Sequence, residues 1–250
     1  MRARKSKCAA LLIASCIAAV PSIAIAQGEG TSYVVFTPYL WAPATKGTSG
    51  VGGQTTPVDA SFNDLAHHLN FGFMGVLEIR RGQTFALIDA FYAALGADEN
   101  PPGPILTNVS IKLHQLMVQP TIGYTALRRS WGGIDALGGI RVWHVSADLT
   151  FVPATGPPHT SSGDQSWVDG FIGSRLRYEP GGRWNLSLLG DVGAGGSQLT
   201  WEVVGGAGYD VSSCCALTLG YRHLDVDYES SEFVNDLYMT GPILGFRWRF

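Results

Sequence analysis

Apolar and polar residues alternate singly along most of this chain. Phe71, Phe73, Gly75, Leu77 and Ile79 interleave with Gly72, Met74, Val76, Glu78 and Arg80; Leu244, Phe246, Trp248 and Phe250 interleave with Gly245, Arg247 and Arg249. A period of two is that of a β-strand with unlike faces, and the helical period is nearly absent. Further strands are predicted at about 32–43, 84–96, 107–126, 132–149, 166–179, 183–194, 198–210 and 215–228. The total is ten, with eight or twelve left open by the 183–210 hairpin. Pro120 falls inside the fourth strand and predicts a bulge or an end to pairing there.

The connections differ in length on the two sides. Arg80-Arg81-Gly82-Gln83, Arg128-Arg129-Ser130, Glu179-Pro180-Gly181-Gly182 and Asp210-Val211-Ser212-Ser213 are short turn sequences. The intervening segments 44–68, 97–106, 150–165 and 229–235 are longer, and only Gly195 to Gln198 is short. Short turns on one side, long loops on the other, an even strand count and both termini on the short side describe an antiparallel up-and-down transmembrane β-barrel of the outer-membrane type. In hydrocarbon every backbone N–H and C=O needs a protein partner, and a closed sheet has no edge. A soluble barrel or sandwich would alternate as well. The direction of the charges, the terminal phenylalanine and the leader described next favour the membrane.

Residues 1–26 read as a cleavable secretory signal: Arg2, Arg4, Lys5 and Lys7, then an apolar run, then Ala24-Ile25-Ala26 before Gln27. Residues 27–250 form a single barrel domain. The segment Ile13-Ala14-Ser15-Cys16 offers a lipoprotein reading, but Ile17-Ala18-Ala19-Val20 continues apolar beyond it. Cleavage after Ala26 removes four of the 17 basic residues and no acid, which moves the net charge from −3 to −7. No later run approaches the roughly 18 apolar residues of a spanning helix, and the mean hydropathy of +0.12 is too low for a helical bundle. The charge balance excludes a general polyanion binder, so no nucleic-acid partner is expected. Cys214-Cys215, the pair left after cleavage, is adjacent and makes no disulfide framework.

Several segments carry a resemblance. Asp191-Val192-Gly193, Leu199-Thr200-Trp201, the run Gly220 to Tyr228 and the closing run Gly241 to Phe250 resemble the small, functionally uncharacterised outer-membrane β-barrel proteins of proteobacteria, loosely OmpA-like or OmpW-like in architecture. Pro38-Tyr39-Leu40-Trp41-Ala42-Pro43 and Ser61-Phe62-Asn63-Asp64-Leu65 are similar to the same group. The resemblance covers most of the chain after the signal and is strongest over 190–250. It implies residence in the outer membrane of a Gram-negative envelope, among lipid and lipopolysaccharide, and it implies no reaction. It also implies that Phe246, Trp248 and Phe250 form the terminal signal read by the barrel assembly machinery, an instance of strand addition to a sheet edge.

If the apolar rows face lipid, the opposite rows send charge into the lumen. The acids are Glu78, Asp89, Asp135, Asp169, Asp191 and Glu202; the bases are Arg80, Lys112, Arg141, Arg175, Arg177, Arg222, Arg247 and Arg249. Ten strands enclose little space, since barrels of about eight are filled by side chains and open porins need about 16–18. Mixed charges in so narrow a lumen are expected to pair and to plug it. The arginines near the terminal end leave a narrow anion channel as the alternative.

Other constellations are weaker. His223, Asp225 and Asp227 lie near the outer end of the ninth strand, where a bulge between Tyr221 and Leu224 would decide which way the aspartates face. They suit a divalent cation bridging lipopolysaccharide phosphates, or plain solvated rim acids. Outer-membrane proteases of the omptin type use an Asp-x-His arrangement, which this chain lacks. His144-Val145-Ser146 is similar to the His-x-Ser of outer-membrane lipid A deacylases, but Ala147 stands where that family has asparagine. His67-His68 lacks a third ligand at fixed spacing, and Ser61 to Asp64 suits the start of one helical turn. Gly47 to Gly53 lacks the lysine and hydroxyl of a phosphate loop. The expectation is a non-catalytic barrel with no cofactor and no resident metal. An enzyme acting on lipid A is the competing class.

Overall fold

The computed structural model describes residues 32–51, 54–99, 106–231 and 233–250; the expected signal at 1–26 lies outside them. Twelve strands and one short helix follow one another: β1 (Ser32–Trp41), β2 (Ala44–Val51), β3 (Gln54–Ala60), α1 (Phe62–His67), β4 (Leu69–Arg81), β5 (Thr84–Glu99), β6 (Leu106–Arg129), β7 (Gly132–Pro153), β8 (His159–Tyr178), β9 (Trp184–Gly195), β10 (Leu199–Asp210), β11 (Cys215–Glu229) and β12 (Phe233–Arg249). Ten of them, β1 and β4 to β12, pair antiparallel in sequence order. The ring closes where β1 meets β12, from Val35 opposite Arg249 to Trp41 opposite Ile243. The fold is a ten-stranded antiparallel barrel, with no edge left in its closed part.

Outward positions form a continuous apolar belt, including Ile79, Ile88, Ile122, Ile140, Ile172, Leu188, Leu219 and Leu244. Ile122 and Ile172 are each 72% exposed, a waste of burial in water and the expected state against lipid. Aromatic side chains fringe the belt. Tyr124, Tyr178, Trp184, Trp248 and Phe250 stand at the end bearing the termini, and Phe71 and Tyr221 at the other. The end with the termini faces the periplasm in the outer-membrane orientation. Its turns are tight: Arg81 pairs directly with Thr84, and Gly82 takes a φ of 61° in the connection between them, a left-handed backbone that glycine enters without steric cost.

Three regions depart from the sequence reading. The segment 44–68, expected as a loop, holds the β2–β3 hairpin and α1. β2 is rich in threonine, serine and glycine and β3 is mostly polar with a proline at its centre, so neither carries the alternation that marks a strand. They form because β12 continues past its pairing with β1 and presents Phe233 to Thr240 to β2. Expected loop residues also extend β7 to Pro153 and start β8 at His159, where Thr160, Ser162 and Asp164 form the outward row of β8. Pro120 makes no bulge. The β6–β7 ladder omits Gln119 and Pro120 and resumes in the same register at Thr121 opposite Gly139, while Pro120 still pairs with Ile88 of β5. A proline has no N–H to give, and the missing bond falls on the β7 side.

α1 begins as its sequence suggested. Ser61 Oγ accepts from the Asp64 backbone N–H at 3.3 Å, and the Ser61 N–H donates to Asp64 Oδ2 at 3.0 Å, a reciprocal capping box.

Candidate functional site

Lumen-facing side chains stack in layers. Nearest the periplasm, Asp135 of β7 sits among three guanidiniums. Arg175 and Arg177 of β8 each donate Nε–H to its Oδ2 at 3.0 Å, and Arg80 of β4 reaches the same oxygen at 3.2 Å. Thr125 of β6 donates to the other oxygen at 2.7 Å. Glu78 accepts from Arg80 at 3.0 Å and from Arg175 at 2.8 Å, which ties β4 to β8 across the lumen. The Arg80 and Arg175 guanidiniums also lie 4.4 and 4.7 Å from the centre of the Phe85 ring. That geometry adds cation–π attraction to two charges already paired.

A second layer crosses the waist. Arg222 of β11 donates to Asp89 of β5 at 2.9 Å, to Glu202 of β10 at 2.6 Å and to the Tyr39 hydroxyl of β1 at 3.1 Å. Tyr39 in turn donates to Asp89 at 2.7 Å. Arg141 of β7 donates to Asp191 of β9 at 2.8 Å, to Gln119 at 2.8 Å and to Thr200 at 2.6 Å. Arg141 Nη2 also lies 3.6 Å from Glu202, so the two arginines share a carboxylate. Residues of seven strands therefore meet in one network, at the place where any aqueous path would run.

Beyond the waist the lumen turns apolar. Trp41, Phe91, Met117, Trp143, Trp167, Leu224, Val226, Tyr228 and Met239 pack into one cluster. Trp143 stacks on Trp167 with ring centres 5.7 Å apart, and Trp167 on Tyr228 at 4.3 Å. Arg222 lies 4.9 Å from the Trp41 ring, which joins this plug to the ion pairs below it. Arg141, Arg222, Met117, Trp143, Leu224 and Val226 are all 0–1% exposed.

The structure thus brings together Glu78, Arg80, Asp135, Arg175 and Arg177 in one layer and Asp89, Arg141, Asp191, Glu202 and Arg222 in another. Arg247 stands apart at the periplasmic rim, donating to Asp210 at 2.6 Å and to Asn185 at 3.0 Å. Arg249 lies 5.0 Å over the Tyr33 ring. Asp169 faces the lumen but joins no arginine. It accepts from the Ser197 backbone N–H at 2.6 Å and the Ser197 hydroxyl at 2.9 Å, and so holds the β9–β10 turn.

Lys112 requires a correction. It is exposed on the outer side of β6, in the same row as His114 and Leu116, while Met117, Gln119 and Thr121 face inward. Above the membrane belt the polar row moves from the lumen to the outside, so a lysine there leaves the lumen. The same inversion places His223, Asp225 and Asp227 outward, with Leu224, Val226 and Tyr228 buried between them. β11 has an unbroken register to both neighbours, so the inversion needs no bulge.

The remaining candidates do not converge on a catalytic arrangement among the described residues. His144 also faces outward, and its Nδ1 is 2.8 Å from the Ser166 hydroxyl on β8 rather than bonded to Ser146. His68 Nδ1 bonds the Asp64 carbonyl at 2.7 Å within its own turn. Among the described residues, no group of three or more His, Cys, Asp or Glu side chains is placed to hold a metal ion. Cys214 and Cys215 occupy the β10–β11 turn with their sulfurs 3.5 Å apart. The neutral members Tyr39, Gln119, Thr125 and Thr200 were not singled out from the sequence. Their signal is their parity: each is a polar residue in a lumen row, and Gln119, Thr125 and Thr200 also have a charge two places away or across the ladder.

No protein-family model and no curated protein sequence matches the chain. Solved structures do resemble it. The outer-membrane protease OmpT from Escherichia coli superposes with a TM-score of 0.54 at 10% identity, covering 91% of this chain and 99% of that one. The translocator domain of the autotransporter NalP from Neisseria meningitidis gives 0.45 at 12% identity, over 90% of each chain. Ail, the attachment invasion locus protein of Yersinia pestis, gives 0.39 at 9% identity over 89% of this chain and 100% of that one. At such identities the likeness concerns the fold alone, and the fold is that of outer-membrane β-barrels.

Proposed function

We propose that the chain is a non-catalytic integral protein of the outer membrane, closed at mid-lumen, serving envelope structure and contact at the cell surface. The observation that carries this reading is the waist. Side chains of Arg141 and Arg222 with no exposure beyond 1% leave no aqueous path beside them, and the aromatic cluster seals the next level. The lipid belt and its aromatic fringes support residence in a bilayer, with lipopolysaccharide against the outer polar rows. Terminal residues Phe246, Trp248 and Phe250 support handling by the barrel assembly machinery.

Planar-bilayer recording of the refolded protein tests the closed lumen. The expected result is no reproducible conductance steps; steady steps would install the narrow-channel reading instead. Lipid A mass spectra with and without expression of the chain, and of Ser146→Ala, address the enzymatic alternative. Identical spectra are expected, and a change abolished by Ser146→Ala would replace the non-catalytic reading.

A further inference from the structure

The lumen below the waist is not filled. On one side its wall is made by Gly206 and Gly208 of β10 and Gly220 of β11, which send nothing inward, and a cavity of about 320 Å³ lies against them. That volume stands at the lower end of the roughly 300–1,000 Å³ typical of small-molecule sites. The rest of the lining is largely aliphatic, with Val35, Val76, Leu87, Leu137, Leu189 and Val204, beside the polar side chains of Thr37, Ser187 and Thr218. From the rim at Tyr33 to the floor at Tyr39 is six residues of one strand, about 15 Å of depth at a rise of about 3.3 Å and a tilt near 40°.

The charges along this cavity are ordered. At its mouth stand three cations, Arg177, Arg247 and Arg249, with one carboxylate, Glu179. Arg177 and Arg247 are paired with carboxylates, whereas Arg249 has only the Tyr33 ring and, among the described residues, no ion pair. The floor is the waist, where Asp89, Asp191 and Glu202 face two guanidiniums, Arg141 and Arg222. An anionic group is attracted at the mouth and repelled at the floor. A polar solute in the middle would lose its water for a lining that is mostly aliphatic and offers few hydrogen-bonding side chains, among them Thr37, Ser187 and Thr218.

We propose that this cavity binds a single-chain anionic amphiphile from the periplasmic side, tail inward between the aliphatic walls and head among Arg177, Arg247 and Arg249. Two acyl chains exceed the volume, and a cationic head meets the wrong charge. The ligand chemistry is shared by a free fatty acid and a lysophospholipid. The proposal takes only its floor from the closed-lumen reading.

Full-chain protein in zwitterionic nanodiscs is titrated calorimetrically against empty discs with decanoate, a decanoyl lysophosphatidylglycerol, decanol and decyltrimethylammonium. One saturable site is expected for at least one of the two anions, and the tighter of them identifies the source. Val204→Phe, which fills the cavity, is expected to weaken the anion at least about tenfold. Arg249→Gln is expected to weaken the anion by about tenfold and leave decanol unchanged, the signature of a lost head contact rather than a lost tail site. Heat-modifiable mobility shows which variants fold, and Arg249→Gln decides alone if Val204→Phe does not. Absence of saturable binding by both anions, equal binding by decyltrimethylammonium, or an unchanged affinity in Arg249→Gln would overturn the proposal. Conductance of the same preparations reports separately on whether the floor is closed.

Discussion

Arg222 on β11 donates to Glu202 on β10 at 2.6 Å, at the level where the two faces of β11 exchange polarity. Below this pair the outward row reads Leu217, Leu219, Tyr221 and the lumen row is polar or glycine. Above it the outward row reads His223, Asp225, Asp227 and the lumen row reads Leu224, Val226, Tyr228. The belt of lipid ends where the aromatic plug begins. The ion pair therefore occupies the last level at which the lumen is polar and the surroundings are hydrocarbon, closed on one side by the aromatic plug and bordered on the other by the rim-side cavity.

Removing the cation at that level leaves buried Asp89 with only the Tyr39 hydroxyl and buried Glu202 with only Arg141 at 3.6 Å. Arg222→Ala is expected to lower unfolding stability by roughly 3–5 kcal/mol, the usual cost of breaking one side of a buried pair. A triple replacement, Arg222→Met with Asp89→Asn and Glu202→Gln, removes the stranded charges and is expected to regain most of that loss. Urea titration in detergent micelles, followed by tryptophan fluorescence, measures both. A single Arg222→Ala variant within 1 kcal/mol of the parent would contradict the geometry, as ~1 kcal/mol is the worth of an exposed pair.

This inversion also explains how much the sequence disclosed. Strand number, ring closure and the two charged layers follow from alternation, because within the belt lipid and lumen demand opposite residues at every step. Lys112 was assigned inward by carrying that rule beyond the belt, where the polar row is the outer one. Thr48, Ser49, Thr55 and Thr56 have no apolar row at all, so the β2–β3 hairpin was read as loop; its order comes from the β12 backbone, which no local pattern reports. Asp169 faces the lumen as expected but is bonded to Ser197 rather than to a cation. Arg141 stands opposite it in the ladder, but the Arg141 side chain turns to Asp191 and Asp169 to Ser197. Parity gives the face of a side chain, while the rotamer it takes across a crowded lumen depends on all its neighbours.

Asp135 makes a sharper comparison inside the periplasmic layer. It is fully buried and accepts from Arg80, Arg175, Arg177 and Thr125. Asp135→Asn removes the charge that three guanidiniums share, and a loss of about 3–5 kcal/mol is expected. Arg177 keeps 22% of its side chain exposed and has Glu179 as a second partner. Water at the rim screens it, so Arg177→Gln is expected to cost about 1 kcal/mol. A double-mutant cycle over the two sites checks the ordering, and equal losses from the two substitutions would refute it.

The capping box of α1 gives a pH-dependent prediction outside the membrane. Ser61 Oγ donates to Asp64 Oδ2 at 2.6 Å, and with the Ser61 N–H it holds the Asp64 carboxyl below its ordinary value. A carboxylate so depressed stabilises the capped turn above the unfolded value near pH 4, and that contribution disappears as pH falls through the folded value. Ser61→Ala removes the hydroxyl and is expected to raise the Asp64 titration midpoint, because one of the two donors remains. Carboxyl carbon shifts of Asp64 by NMR, recorded from pH 2 to 6 in both proteins, read this directly. A midpoint that does not move would show that the hydroxyl contributes nothing to the charged form.

Phe250 separates assembly from stability. Its N–H donates to the Val34 carbonyl at 2.8 Å, so the backbone closes the barrel seam, while its ring stacks on Trp248 at 5.9 Å and is 71% exposed. A side chain already facing the lipid boundary has little burial to lose, and the backbone bond survives any substitution except proline. Phe250→Ala is therefore expected to leave the unfolding midpoint of refolded protein within about 0.5 kcal/mol of the parent, as for surface changes generally. In cells the same variant is expected to lower the amount of heat-modifiable barrel in the membrane fraction several-fold, since strand recognition reads alternate side chains. Equal yields in cells would assign the ring to the aromatic fringe alone. A large drop in both measurements would make it a structural residue of the seam.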